Sequence, residues 1–259
     1  MPELLYRPDW KLPRGVHAFV TTRHGGHSSG GWSSFNLAQH AGDAAAAVSA
    51  NRALLLQTLR AETGIDVPAI QWVSQVHGTR VFHAGNAALP APEADAVYAK
   101  GSQLAIGVLT ADCLPVLFCS SDGREIAVAH AGWRGLLGGV LEATVASFHA
   151  QPWAISAWLG PAIGPCHFEV GDEVRTAFVA GSVPEHRAAT EAAFAVGARP
   201  GKWLADLYAL ARLRLRRCGL EQIAGQPLCT VCNNERFYSY RKQPLTGRFA
   251  TLVLQGHGA

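Results

Sequence analysis

The sequence has few charged residues and no long apolar run, and both shortages restrict what the chain can be. Charged residues make up 16% of the 259 positions, whereas apolar residues make up 49%. A chain with this much apolar material can bury a sizeable core, so we do not expect disorder. No run of about 18 apolar residues is present, so we expect no membrane span and no membrane partner.

A strong excess of charge of either sign is also lacking. The formal net charge is +3, with an isoelectric point near 8.6. Such mild basicity does not favour nucleic acid as a partner. Residues 1–13 carry charges and prolines and lack the apolar core of a secretory signal, so we expect a cytoplasmic protein. Its six cysteines would then be reduced thiols, metal ligands or reactive groups rather than disulfides.

Neither an internal repeat nor a convincing linker is visible, so we expect a single domain spanning residues 1–259. Strands are predicted for the apolar runs at residues 15–22, 155–159 and 249–254. Helices are predicted from Asp43, as the N-cap, to near Gly64, and over residues 136–149, 173–180 and 203–218. The polar, alanine-rich residues 181–201 are expected to form a mobile surface segment.

Three strong metal ligands stand where apolar runs end. Cys113 follows the run at 104–109, and His130 follows the run at 126–129. His77 closes an earlier strand-like run. Side chains at the ends of adjacent strands can converge, and two imidazoles with one thiolate suit zinc. Three protein ligands leave a fourth position open, as in catalytic zinc sites.

The same residues also have plainer interpretations. A cysteine in an apolar run is most often a small buried side chain, and a histidine after a strand is often a hydrogen-bonded core residue. Four glycines close behind His130 favour a special site, because such a dense group is costly to order unless a turn or a close approach needs it. Cys113 and His130 could also act as nucleophile and base without a metal, and both hypotheses stay open.

Other ligand patterns are weaker. His167-x-Glu169 and the later Cys229-x-x-Cys232 imitate the zinc deaminase pattern, but they lie about 60 residues apart and lack its helix setting, so we reject this interpretation. A redox Cys-x-x-Cys should open a helix, whereas the two asparagines that follow it indicate a turn. His24 and His27 remain secondary metal candidates. A copper cluster would need many imidazoles, often as His-x-His, and the sequence contains no His-x-His.

Six segments carry a resemblance to a known family. They are Thr21-Thr22-Arg23-x-Gly25-Gly26, Gln75-Val76-His77-Gly78, Thr110-Ala111-Asp112-Cys113-Leu114-Pro115-Val116, His130-Ala131-Gly132-Trp133-Arg134-Gly135, Gly160-Pro161-x-Ile163-Gly164-x-Cys166-x-Phe168-Glu169-Val170 and Phe237-x-Ser239-x-Arg241. Together and in this order they resemble the YfiH family, also called laccase-domain or polyphenol oxidase family proteins and more recently described as purine nucleoside phosphorylases. The resemblance implies an α+β fold class, a single domain of mixed β-sheets flanked by helices. This fold is similar to the catalytic domain of cytotoxic necrotizing factor, a Cys/His hydrolase.

The resemblance also implies a cofactor and activities. Zinc would be held by His77, Cys113 and His130, with copper as the less favoured metal. The implied reactions are phosphorolysis of adenosine, guanosine, inosine and methylthioadenosine, and deamination of adenosine, so the partners would be a purine nucleoside and phosphate. The alternatives are a Cys/His hydrolase, a factor that edits peptidoglycan precursors, and a copper-dependent polyphenol oxidase. Cys229 fits the family pattern, whereas Cys232 is an addition to which we assign no role.

Catalytic roles are hypotheses at this point. Cys113 and His130 are predicted to be catalytic as well as metal-binding. For deamination, zinc would activate water, and a carboxylate must carry a proton to the leaving ammonia. Asp112 and Glu169 are the candidates for that carboxylate, and the sequence does not choose between them.

Substrate contacts are predicted from charge and position. Phosphorolysis needs a cation that holds phosphate beside the sugar, and arginine suits that geometry. Arg23 and Arg134 are the candidates, since each lies in a glycine-bearing loop, although Arg134 could equally pair with a carboxylate. Asn36 and Gln75 complete the predicted substrate contacts.

Overall fold

The computed structural model describes residues 3–256, within which the chain forms fourteen strands and six α-helices. Met1, Pro2 and residues 257–259, which the predicted domain 1–259 includes, lie outside the described residues. The strands are β1 (Leu5–Tyr6), β2 (Val16–Thr21), β3 (Ile70–Gln71), β4 (Val81–Ala84), β5 (Ala96–Lys100), β6 (Ala105–Thr110), β7 (Leu114–Ser120), β8 (Glu125–Ala131), β9 (Ile155–Leu159), β10 (Glu169–Gly171), β11 (Phe194–Val196), β12 (Lys202–Ala205), β13 (Gln222–Ala224) and β14 (Phe249–Gln255). The helices are α1 (Ala45–Thr63), α2 (Trp133–Gly138), α3 (Val140–Ala146), α4 (Asp172–Ala180), α5 (Pro184–Ala192) and α6 (Leu207–Arg217).

The strands form three sheets. A five-stranded sheet has the order β1-β2-β14-β6-β3, and a six-stranded sheet has the order β13-β9-β7-β8-β5-β4. A small third sheet has the order β10-β12-β11. Both large sheets are mixed, because β3 runs parallel to β6, β4 parallel to β5 and β13 parallel to β9, whereas the other pairs are antiparallel. The predicted α+β class of mixed sheets flanked by helices is therefore confirmed.

The two large sheets pack face to face and are covered by helices on their outer sides. All seven residues of β7 are buried, because both faces of its sheet are covered. Val116 and Phe118 point to the helical side, whereas Leu117 and Cys119 point to the five-stranded sheet. This alternation is the period-two pattern of a strand that is buried on both sides.

Each outer face has its own helices. Leu55 and Leu59 of α1 pack with Phe19 and Leu252 on the five-stranded sheet. Helices α2, α3, α4 and α6 cover the six-stranded sheet with residues such as Leu141. Fully burying a leucine contributes about 2 kcal/mol, so these layers supply most of the driving force for folding.

Three predicted strands are found as β2, β9 and β14, and β14 lies between β2 and β6 in the middle of its sheet. Helix α1 ends before Gly64 as predicted. Its N-cap is Ala44 rather than Asp43, so that part of the prediction is wrong. The Asp43 carboxylate instead accepts hydrogen bonds from the side chains of Ser28 and Asn36.

Two predicted segments differ in the structure. The single helix over residues 136–149 is divided into α2 and α3, because Gly139 takes a left-handed φ of 102° that interrupts the helix. The helix over residues 203–218 begins only at Leu207, since β12 occupies the first residues and Asp206 caps α6 by accepting from the Ala209 N–H. The expected helix over residues 173–180 is α4.

The expectation of a mobile segment over residues 181–201 is wrong. This stretch holds α5 and β11, and α5 starts with Pro184 in its first turn. Thr190 and Phe194 are buried, which ties the segment to the core despite its polar composition. None of the helices within residues 3–256 combines the length and apolar composition that a membrane span requires.

Candidate metal site

The structure brings His77, Cys113 and His130 together. Strands β7 and β8 are antiparallel, with Pro115 opposite His130, so Cys113, just before β7, lies beside the end of β8. His77 reaches the same point from a loop, because regular strand β3 ends at Gln71. The ligand atoms of the three residues all lie within 4.8 Å of one another, and Cys113 Sγ is 3.8 Å from His77 Nε2. We call these three residues the three-donor cluster.

A buried carboxylate fixes two of the three donors. Asp95 is fully buried, and it accepts hydrogen bonds from the backbone N–H groups of Val76, His77 and Gly78 at 3.2, 2.9 and 2.6 Å. Its Oδ1 is also 2.8 Å from Nδ1 of His130. One side chain therefore holds both the His77 loop and the His130 ring. Because Nδ1 of His130 is engaged, Nε2 is the nitrogen that is available to a metal.

The cluster changes the acidity of its own members. Burial alone would raise the pKa of the Cys113 thiol, but His130 and His77 outweigh burial and lower this pKa to about 6. Burial alone would lower the pKa of His130, but the Cys113 thiolate and Asp95 raise it to about 9. For Asp95, hydrogen bonds from His130 and Gly78 outweigh burial and lower its pKa. A thiolate is the form of cysteine that binds a metal or attacks an electrophile.

Two residues of the site have left-handed backbone conformations. His77 has φ of 61° and Asp112 has φ of 94°, and they are the non-glycine residues with positive φ within residues 3–256. Such conformations cost on the order of 1–3 kcal/mol and persist only where the surroundings hold them. Asp112 is held by Thr230 Oγ1 at 2.6 Å and by the Arg241 N–H at 2.7 Å.

The backbone at Gly132 passes very close to the three-donor cluster. A Cβ at Gly132 would lie 2.9 Å from His77 Cδ2 and 3.0 Å from Cys113 Sγ, so only glycine lets the chain pass this close. Two imidazoles and a thiolate, one imidazole being fixed by a carboxylate, form a donor set that fits a divalent metal such as zinc. These three residues could therefore hold a metal ion with an open coordination position.

A cavity of about 470 Å³ opens beside the cluster. Its lining combines the three donors with polar, cationic and aromatic groups. These residues are His40, Gln75, His77, Leu109, Thr110, Ala111, Asp112, Cys113, His130, Ile163, Phe168, Tyr240, Arg241 and Arg248. A site of this size and mixed polarity suits a small organic ligand.

Two of the other predicted residues line this cavity. Asp112 directly precedes Cys113, and its carboxylate is held by Thr230 and by the backbone N–H of Arg241. Gln75 uses both ends of its amide on Leu109, donating to the carbonyl and accepting from the N–H, each at 2.8 Å. Gln75 therefore fixes the end of β6, from which the Cys113 corner follows.

Four predicted residues do not belong to the cavity lining. Arg23 donates to the carbonyls of Ser33 and Asn234, and Asn36 is buried among internal hydrogen bonds. The guanidinium of Arg134 lies over the ring of its neighbour Trp133. Glu169 forms an ion pair with Arg199. His24 and His27 do not belong to any group of three or more potential metal ligands within residues 3–256.

Sequence reasoning missed several residues of the site. The residues around Asp95 carry no motif that marks it as functional, and it stands just before the short strand β5. Arg241 and Phe168 stand in segments that carry the family resemblance, and that position could have indicated them. His40 and Arg248 had no signal, because their place in the cavity depends on how distant loops meet.

The fold and the cluster define a class of α+β protein that carries a His–Cys–His donor set at the wall of a ligand-sized cavity. A family model described as multi-copper polyphenol oxidoreductase laccase matches residues 17–255, and the chain belongs to this family, which includes the YfiH proteins. The predicted family resemblance is thereby confirmed.

Curated relatives and solved structures are similar over almost the whole chain. A purine nucleoside phosphorylase of Pseudomonas aeruginosa and the purine nucleoside phosphorylase YfiH of Escherichia coli are each 46% identical over 246 residues, which is 95% of this chain and 96% of theirs. A Neisseria meningitidis protein of solved structure superposes with a TM-score of 0.89 at 42% identity, covering 98% of this chain and 100% of its own. YlmD of Geobacillus stearothermophilus superposes with a TM-score of 0.84 at 28% identity, covering 99% and 100%.

Proposed function

We propose that this protein is an enzyme that cleaves purine nucleosides with inorganic phosphate, using a zinc ion held by His77, Cys113 and His130. The observation that carries the proposal is the convergence of these donors at a cavity that also offers cationic and aromatic side chains. The names of the relatives support the reaction class. Adenosine, guanosine, inosine and methylthioadenosine are the proposed substrates.

The chain's own groups would prepare the metal position. His77, Cys113 and His130 would hold the ion, and Asp95 would fix the tautomer and orientation of His130. Bound there, zinc would supply Lewis acidity and lower the pKa of water toward about 7.

Cationic side chains would place the phosphate. Arg248 and Arg241 line the cavity, and both are steered by backbone carbonyls, Arg248 by Thr246 and Gly247 and Arg241 by His167. A guanidinium that is oriented in this way can offer its remaining N–H groups to phosphate oxygens. These two arginines fit the task better than Arg23 and Arg134, which lie outside the lining.

Aromatic side chains would place the base. Phe168 and the exposed Tyr240 belong to the lining and offer flat apolar surfaces for a purine. In the reaction a phosphate oxygen forms a bond to the sugar C1′ while the C1′–N bond breaks, and the leaving purine nitrogen takes up, by way of solvent, the proton that hydrogen phosphate loses. Gln75 would support this arrangement by fixing Leu109. Asn36 would act indirectly by positioning Arg248, since its side-chain oxygen accepts a hydrogen bond from the backbone N–H of Arg248.

Adenosine deamination is the proposed second reaction of the same cavity. Of the two candidate carboxylates, Asp112 lines the cavity, whereas Glu169 is paired with Arg199. Each oxygen of Asp112 accepts one hydrogen bond and retains a further lone pair. We therefore assign the transfer of a proton to the leaving ammonia to Asp112.

One observation favours a competing function. The Cys113 thiol has a pKa lowered to about 6 beside two imidazoles, which also suits a nucleophile of a Cys/His hydrolase or of a factor that edits peptidoglycan precursors. Copper-dependent oxidation of phenols, which the family model's description names, has less support, because the three-donor cluster offers only two imidazoles.

Product analysis of adenosine, with and without phosphate, tests the proposal. Adenine and ribose 1-phosphate formed only with phosphate would support phosphorolysis, and inosine would support deamination. In metal analysis, His77→Ala should contain about one zinc per chain fewer than the unmodified protein. A protein that turns over neither nucleosides nor phenols, but is stoichiometrically alkylated at Cys113 in a metal-free form, would instead favour the hydrolase.

The domain organisation, the partners and the cellular compartment are also part of the proposal. We propose that residues 1–259 act as one domain, which the pairing of β14 with both β2 and β6 supports. The proposed partners are a nucleoside and phosphate, in the cytoplasm, without nucleic acid. The mild net charge of +3 supports the last point.

A further inference from the structure

A second group of metal-ligating side chains lies outside the cavity. Cys166 and His167 come from the loop between β9 and β10, whereas Cys229 and Cys232 come from the loop between β13 and β14. Their ligand atoms all lie within 4.8 Å of one another. We call these four residues the four-donor cluster. Glu169, the carboxylate of the rejected deaminase pattern, is paired with Arg199 instead.

The separations within this cluster are those of ligands around one ion. His167 Nδ1 lies 3.1, 3.5 and 3.6 Å from the sulfurs of Cys166, Cys232 and Cys229, and the sulfurs of Cys166 and Cys232 are 3.7 Å apart. Zinc–sulfur bonds of about 2.3 Å and zinc–nitrogen bonds of about 2.0 Å, set tetrahedrally, separate two sulfurs by about 3.8 Å and a sulfur from a nitrogen by about 3.5 Å. We propose that Cys166, His167, Cys229 and Cys232 bind a structural zinc ion.

The backbone around the cluster is shaped for this meeting of loops. Ala162 and Cys229 form an isolated parallel bridge, in which the Thr230 N–H donates to the Ala162 carbonyl at 3.0 Å. A Cβ at Gly164 would lie 3.0 Å from Cys229 Cβ, so glycine is what lets the first loop approach the second. Asn233 donates to the Cys229 carbonyl at 2.8 Å and closes the turn of the Cys-x-x-Cys segment.

The donor set selects zinc over the other uses of cysteine. Three thiolates and one imidazole form a complete tetrahedral set, which is typical of structural zinc sites. All six cysteines lie within the described residues and are free, and a disulfide would need sulfurs about 2.05 Å apart. On binding, each of the three thiols would release its proton to solvent, and no electron would be transferred.

This zinc would hold part of the cavity wall in place. Phe168 follows His167 directly and lines the cavity, and Arg241, also in the lining, donates to the His167 carbonyl at 2.9 Å. Thr230, between the two cysteines of the second loop, donates to Asp112 at 2.6 Å. The four-donor cluster would therefore act through these neighbours as a positioning element, without touching substrate.

Elemental analysis of the full chain tests the proposal. We expect Cys232→Ser to contain one zinc per chain fewer than the unmodified protein, while Cys218→Ser keeps the unmodified content. Cys218 is a half-buried cysteine at the end of α6 and belongs to neither cluster. An unchanged zinc content in Cys232→Ser would overturn the proposal. Because His77→Ala removes only the other ion, failure of the three-donor site would be seen separately.

A measurement on the unmodified chain covers the case in which Cys232→Ser does not fold. Native mass spectrometry is expected to show the bound zinc. Alkylation of Cys166, Cys229 and Cys232 is expected to begin only after a chelator has removed that ion. Cobalt substitution is expected to give the strong near-ultraviolet thiolate absorption of a tetrahedral three-sulfur site. A disulfide between Cys166 and Cys232, or alkylation of all three cysteines without loss of metal, would overturn the proposal.

Discussion

The two cysteine–histidine clusters of this protein use the same donor chemistry but are built in different ways. In the three-donor cluster, Cys113 and His130 stand at the ends of paired strands, and the buried Asp95 fixes His130 and the His77 loop. In the four-donor cluster, all donors come from two loops, and Cys166, His167 and Cys232 are exposed.

If both clusters bind a metal as proposed, their construction suits one of them to catalysis and the other to a structural role. Strands and a buried carboxylate set the three-donor cluster before any ion arrives, so a coordination position can stay open for substrate chemistry. Loops hold their side chains less firmly than strands do, so in the four-donor cluster the ion itself would supply more of the order. Removing the first ion should therefore abolish activity and spare the fold, whereas removing the second should loosen the fold first.

The largest expected effect is on catalysis at the three-donor cluster. In His77→Ala, kcat/KM for adenosine phosphorolysis should fall at least about 1,000-fold, or about 4 kcal/mol, because the metal loses one of three ligands. Steady-state kinetics with purified protein measures this. His83→Ala, an exposed histidine of β4, is the matched control and should stay within about twofold of the unmodified enzyme. Retention of more than a tenth of the activity in His77→Ala would contradict the assignment.

The next effect is on stability at the four-donor cluster. If zinc is present at about 100 times its dissociation constant, its loss in Cys232→Ser removes about 2.7 kcal/mol. Tm should then fall by about 5–11 °C, while kcat/KM at 25 °C falls less than tenfold. Calorimetry with and without chelator makes the measurement. Equal Tm values for Cys232→Ser and Cys218→Ser would remove the structural distinction between the clusters.

A smaller effect tests whether the carboxylate prepares the three-donor cluster. Asp95→Asn keeps the shape of the side chain, but one of its two terminal groups becomes a donor that faces backbone N–H groups. Loss of such a hydrogen-bond partner behind a ligating histidine lowers metal affinity by about 10–100-fold. Competition with a chelating dye measures the affinity, and Asp66→Asn, an exposed carboxylate, is the control. Unchanged affinity would mean that Asp95 serves the fold alone.

The smallest effect concerns the wall that the two clusters share. Arg241→Lys keeps the positive charge but loses the planar group that donates to the carbonyls of His167 and Glu169 at 2.9 and 3.3 Å. KM for phosphate should rise about fivefold, which corresponds to about 1 kcal/mol, with kcat nearly unchanged. The exposed Arg124→Lys is the control for initial-rate measurements. A fall in kcat at constant KM would place Arg241 in the chemical step instead.

The sequence predicts the three-donor cluster better than the four-donor cluster for a physical reason. Cys113 and His130 each follow an apolar run that lies in a strand, β6 and β8, whereas the run before His77 is mostly loop, because β3 ends at Gln71. Cys166 and Cys232 belong to loops whose meeting depends on the Ala162–Cys229 bridge, which has no local signal. The Cys-x-x-Cys pair and His167 are both visible in the sequence, but no local signal shows that they meet, and none marks Cys166 as a ligand.

The fold follows the same rule. Strands β2, β9 and β14 are predicted because their apolar composition is continuous, whereas α5 and β11 in residues 181–201 are not, since tertiary contacts of Thr190 and Phe194 override a polar composition. Helix α3 is separated from α2 by one left-handed glycine that the helical periodicity does not reveal. Asp95 is missed because a carboxylate's role depends on which loops surround it.

The position of β14 in the middle of the five-stranded sheet has a consequence for biosynthesis. Strands β2 and β6 are translated first, but each borders a gap until residues 249–255 emerge from the ribosome. Pairing between such distant segments is slow, because a long loop must close before the contacts form. Cys113 lies shortly after the end of β6. We therefore expect its position to become fixed only after β14 has been translated and has paired with β6. Ion loading would thus be a post-translational event, and nascent chains stalled before residue 249 should not retain zinc at that position.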